Sequence, residues 1–140
     1  MQTITLKLAQ KDYGFEATDE AGTIIKLDNS PDHGGNNFGA RPMQMLLMAL
    51  GGCSGIDVVS ILKKQKVELR HYEMIIKGER EQGKEPALWK NVDVTFIIDA
   101  EITQEKAERA VQLSIDKYCS VAETLRLAGA TITHQTIVKS

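Results

Sequence analysis

RPMQMLLMALGGCSGIDVVSILKK, Arg41 to Lys64, is the most apolar run in the chain, and the fold turns on how it is read. Pro42 suits the first position of a helix, where its missing N–H is one of the donors left unpaired in any case. Lys63, Lys64 and Lys66 place cations at the other end, where the helix dipole favours them. The run therefore predicts one long helix from Pro42 to about Lys64. It is apolar nearly all round as far as Cys53 and then becomes mixed. A span of about 20 residues raises the question of a membrane. Asp57, Gln44, two serines and three glycines argue against one, and no second segment of this kind follows. A helix apolar on every side is then one surrounded by protein. Gly51, Gly52 and Gly55 each cost about 1 kcal/mol relative to alanine in a helix. Their expected return is close backbone approach or access to Cys53.

Upstream, TITLKLA, YGFEAT and TIIKLD read as three short strands with turns at Asp12 and at Glu20 to Gly22, and Asn29 to Pro42 reads as a loop. Downstream, Val67 to Arg80 is a strand, and LWKNVDVTFIIDA is its hairpin partner with Val92, Val94, Phe96 and Ile98 on one face. TQEKAERAVQLSIDKY is a helix capped by Thr103, with Ala107, Ala110, Val111, Leu113 and Ser114 near one stripe. SVAE, Ser120 to Glu123, has the pattern of a capping box opening a short helix that Gly129 ends, and ATITHQTIV closes as a strand. Strands and helices are segregated, which gives an α+β class. The expectation is a single domain over residues 1–140, with antiparallel sheets around a long buried central helix.

A net charge of −2 supplies no attraction to phosphate backbones or anionic lipid, so neither nucleic acid nor a membrane surface is an expected partner. The first twenty residues alternate and carry no apolar core of a secretory signal. Cys53 and Cys119 lie 66 positions apart, matching neither a C-x-x-C pair nor a dense disulfide scaffold. The expected compartment is the cytoplasm, with both cysteines resting as thiols.

The chemistry centres on these two thiols. Cys119 sits where two helices meet, beside N–H groups that favour a thiolate, while a free cysteine is otherwise a common small core residue. As a pair they could act as an attacking and a resolving thiol, forming a sulfenic acid and then a disulfide. Asp57 falls one turn after Cys53 on the same helical face, where its charge opposes ionisation of the thiol. Glu123 reads as a capping partner for Ser120, and Arg41 is the sole arginine before Arg70. His33, His71 and His134 form no H-x-x-x-H pair, so no metal site is expected.

The Arg41–Lys64 segment, together with AERAVQLSIDKYCSVAETL, resembles the OsmC/Ohr family of osmotically inducible and organic hydroperoxide resistance proteins, and most of all its YhfA-type branch. The features that carry the resemblance are the eleven-residue spacing from Pro42 to Cys53 and the KYCSV around Cys119. It implies the OsmC-like α+β fold as an intertwined homodimer with buried central helices. It also implies thiol-dependent reduction of organic hydroperoxides, with Cys53 as nucleophile, Cys119 as resolving thiol and a dithiol reductant of the lipoyl type; no bound cofactor is implied. In the family's peroxidases a glutamate follows the proline and an arginine comes from the N-terminal strands. Here Met43 and Gln44 follow Pro42, and residues 1–40 hold no arginine. Arg41 is the candidate substitute. The alternative expectation is a catalytically weak redox sensor, or a protein that binds a hydrophobic small molecule.

Overall fold

Helix α1 covers Pro42–Lys64, with Pro42 opening it and Lys63 and Lys64 in its last turn. It belongs to a computed structural model that describes residues 1–139. The chain forms two compact units, Met1–Leu46 and the residues from Leu47 onward.

In the first unit, β1 (Thr5–Gln10), β2 (Gly14–Thr18) and β3 (Ile24–Leu27) make the expected antiparallel meander. The loop after β3 is organised by one buried carboxylate. Asp28 accepts the N–H groups of Asn36 at 2.8 Å, Phe38 at 3.1 Å and Asn29 at 2.7 Å. The Asn36 and Phe38 bonds are the main reason its pKa lies below the ordinary value. Leu6, Leu8, Ile24 and Ile25 are exposed.

The second unit builds a sheet in the order β4 (Leu69–Arg80), β5 (Trp89–Ala100), β6 (Thr131–Lys139). The β4–β5 pair is antiparallel, but β6 lies parallel to β5, which corrects the expectation of purely antiparallel sheets. The reason is the connection: α2 (Gln104–Leu113) and α3 (Ser120–Leu127) lie between the two strands, and a crossover of that length returns the chain in the same direction. Val92, Val94, Phe96 and Ile98 form one buried face of β5, as their alternation requires. They share a core with Leu50, Val58 and Leu62 of α1 and with Ala107, Ala110 and Val111 of α2. Thr103 caps α2 by accepting the Lys106 N–H at 3.2 Å.

Among the described residues, one face of α1 is buried and the other is open. Leu50, Gly51, Ser54, Gly55, Val58 and Leu62 are packed, whereas Met48 is 59% exposed, Ile56 68% and Val59 40%. The three glycines divide accordingly. A Cβ on Gly51 would lie 2.6 Å from Ile76 Cδ1, and one on Gly55 2.6 Å from Met74 Cε, so both let α1 approach β4. A Cβ on Gly52 would meet nothing within 4 Å. In an α1 left uncovered on this face, Gly52→Ala would add about 1 kcal/mol of stability in urea unfolding, the helix-propensity difference. A loss of similar size would show that another surface covers this position.

Candidate active site

Cys53 lies in the middle of α1, and Cys119 is brought to it by an interruption between α2 and α3. Ser114–Tyr118 form a single π-helical turn, closed by the Cys119 N–H donating to the Ser114 carbonyl at 2.8 Å. The backbone is extended at Cys119, with ψ of 105°, and α3 starts at the next residue. Cys119 is therefore the N-cap: its Sγ accepts the Ala122 N–H at 3.4 Å. This corrects the reading of Ser120 and Glu123 as a capping box. Ser120 is already helical, and Glu123 instead faces Arg126 at 3.8 Å. Arg126 also donates to the Ile115 carbonyl and lies 3.6 Å from Asp116, which ties the π turn to α3.

The result is a compact cluster. Cys53 Sγ, Cys119 Sγ and a carboxylate oxygen of Asp57 all lie within 4.8 Å of one another. Asp57 is held by Ser114, whose hydroxyl lies 3.1 Å from Asp57 Oδ2 and 3.0 Å from the Ser54 carbonyl. One hydroxyl proton thus serves two acceptors, and it fixes α1 to the start of the π turn. Tyr72 completes the surroundings, its phenol pKa raised by burial and then by the charge of Asp57.

Cys119 is 3% exposed, and burial pushes its pKa up to about 11. The Ala122 N–H partly opposes that shift and the neighbouring Cys53 thiol adds to it. Roughly one Cys119 in ten thousand is then thiolate at pH 7. Alkylation of Cys119, followed by peptide mass mapping, should rise tenfold per pH unit until about pH 11. A plateau near pH 9 would show that burial does not control this thiol.

Asp57 stands between the buried Cys119 thiol, beside a half-buried Cys53, and an open cavity. It lines a cavity of about 590 Å³ with Ser60, Ile61, Lys64, Gln65, Leu113 and Tyr118. Cys119 lines a smaller one of about 270 Å³ beside Glu123 and Arg126.

The structure thus brings together Cys53, Cys119 and Asp57. Arg41 is exposed just ahead of α1, with its backbone N–H donating to the Gln44 side chain at 3.3 Å. His33 pairs with Ser30 in the first unit, while His71 and His134 lie on β4 and β6. Sequence reasoning missed the roles of Ser114, Tyr72 and Arg126. Ser114 did stand on the predicted buried stripe, where a hydroxyl among alanines is a signal of a specific partner.

A sequence model described as OsmC-like protein matches residues 33–135. Protein YhfA of Escherichia coli K12 is 45% identical over 94 residues, 66% of this chain and 69% of that protein. A crystal structure of a hypothetical protein from Aquifex aeolicus is 26% identical with a TM-score of 0.81, covering 100% of this chain and 98% of that one. The organic hydroperoxide resistance protein OhrB of Bacillus subtilis shares the fold, with a TM-score of 0.60 at 17% identity, over 99% of this chain and 98% of its own.

Proposed function

The chain belongs to the OsmC-like protein family, and from that premise we propose that it reduces organic hydroperoxides with Cys53 as nucleophile and Cys119 as resolving thiol. The observation that supports this most is the separation of the two sulfurs, at most 4.8 Å in one chain. A disulfide needs about 2.05 Å, so rotation of the side chains has at most roughly 2.8 Å to close.

In the first step the Cys53 thiolate attacks the terminal peroxide oxygen. The O–O bond breaks, the alkoxide takes a proton and leaves as alcohol, and Cys53 becomes a sulfenic acid. In the second step Cys119 sulfur attacks Cys53 sulfur and the hydroxyl leaves as water. Cys119 must lose its proton as it attacks, and Asp57 is the carboxylate in place to take that proton and pass it to the departing hydroxyl. An external dithiol of the lipoyl type then reduces the disulfide. Purified protein should consume cumene hydroperoxide with dihydrolipoamide; no turnover would overturn the proposal.

A second reading, a redox sensor with little turnover, is favoured by one observation: the hydrogen bond to Asp57 comes from a hydroxyl rather than a cation. An anion beside the thiols leaves the departing alkoxide without a positive partner. One oxidation without continuing turnover would select this reading.

We place the protein in the cytoplasm as a homodimer. The exposed Met48, Ile56 and Val59 form an apolar stripe on α1, with Gly52 in its middle, suited to a second copy. Light scattering should give two chains per particle, and Ile56→Glu should yield monomers. A wild-type monomer at micromolar concentration would refute the dimer.

A further inference from the structure

We propose that the reduced site binds a soft divalent metal ion of the zinc class through Cys53 Sγ, Cys119 Sγ and the Asp57 carboxylate, leaving one position open. This inference does not rest on the hydroperoxide reading. The three donor atoms already lie within 4.8 Å of one another. Tetrahedral zinc, with Zn–S about 2.3 Å and Zn–O about 2.0–2.2 Å, sets donor atoms roughly 3.5–3.8 Å apart, so the cluster must contract by only about 1 Å. Side-chain torsions supply that without moving the backbone.

The scaffold suits a chelate. Cys53 and Asp57 stand one turn apart on α1, the spacing by which paired ligands on a helix grip a single ion. The third donor comes from the N-cap of α3, on a turn tied down by Arg126. Outer partners are in place as well: the Ala122 N–H donates to Cys119 Sγ, and the Ser114 hydroxyl to Asp57 Oδ2. Such groups orient ligands and tune their basicity. Two sulfurs with one carboxylate favour zinc over the hard cations magnesium and calcium. The cavity of about 590 Å³ on the Asp57 side gives an entry path and room for a fourth ligand.

Charge decides the form that binds. Two thiolates and a carboxylate would repel one another strongly at this distance, so without a cation the thiols keep their protons. A divalent ion displaces those protons and offsets two of the three negative charges, so binding releases up to two protons and weakens as pH falls. Two sulfurs joined in a disulfide cannot both serve as ligands, so bound metal and disulfide exclude each other.

Cobalt(II) added to the reduced, full-length chain is the test. The expected result is one cobalt per chain with a thiolate charge-transfer band, displaced by equimolar zinc and lost in Cys53→Ser and Cys119→Ser. Ser114→Ala, which removes the hydroxyl shared by Asp57 and the Ser54 carbonyl and keeps all three donor side chains, should weaken cobalt binding about 10- to 100-fold. Wild-type protein oxidised with diamide should bind no cobalt at this site. A missing band in reduced wild-type protein would overturn the proposal, as would a band that survives Cys119→Ser or an unchanged affinity in Ser114→Ala. If a cysteine variant fails to fold by circular dichroism, the wild-type and Ser114→Ala results decide. No step uses peroxide, so a protein without hydroperoxide turnover leaves this test intact.

Discussion

Hydroperoxide consumption in Cys53→Ser is expected to fall to the rate of the dithiol alone. A serine hydroxyl is far less acidic than a thiol and a much weaker nucleophile toward a peroxide oxygen, so no sulfenic acid forms. Cys119 does not substitute, because burial holds its pKa at about 11 and leaves it 3% exposed. The reciprocal variant behaves differently. With no dithiol present, Cys119→Ser should consume about one equivalent of hydroperoxide and stop at a Cys53 sulfenic acid that a dimedone probe captures. Two variants with the same residual rate and no captured sulfenic acid would mean that Cys53 is not the nucleophile.

Asp57→Asn should slow closure of the disulfide about 100-fold, the lower end of the range for a positioned general base. The asparagine keeps the size of the side chain but cannot accept a proton. A competing effect has the opposite sign, since an anion repels the negative charge that builds on an attacking sulfur. The base is expected to win because Cys119 is almost wholly protonated at neutral pH, with a pKa of about 11. The pH profile separates the two effects. In Asp57→Asn, closure depends on hydroxide and should rise tenfold per pH unit towards about pH 11, whereas the wild-type profile should be flatter. A neutral aryl disulfide makes the measurement independent of peroxide: Cys53 forms a mixed disulfide, and release of the second aryl thiol reports attack by Cys119. Faster release in Asp57→Asn would show that the carboxylate only opposes the chemistry.

Local signals made much of this fold legible. Pro42 and the terminal lysines mark α1, Thr103 marks α2, and the alternation from Val92 to Ile98 marks the buried face of β5. The direction of β6 was not legible from its own residues, because a period of two is the same in parallel and antiparallel pairing. The cap of α3 misled for a related reason. S-x-x-E can open a helix at Ser120, but the π turn before it leaves Cys119 as the extended residue. The meeting of Cys53, Cys119 and Asp57 was hidden because 66 positions separate the thiols and no local pattern records that distance. A helix apolar on all sides carries the expectation of cover on all sides; among the described residues the fully buried face is that of Leu50, Ser54 and Val58. Asp57 read by itself looked like an obstacle to thiol chemistry. Its place between a buried thiol and an open cavity is what suits it to the proposed role of proton acceptor.

Intact-mass measurement after one equivalent of cumene hydroperoxide tests whether the two thiols of one chain act on one peroxide. The expected result is loss of the mass of two hydrogens per chain, with non-reducing peptide mapping joining Cys53 to Cys119 in the same polypeptide. Free thiols after that treatment, a link between chains, or Cys53 carried to sulfinic acid while Cys119 stays reduced would contradict it.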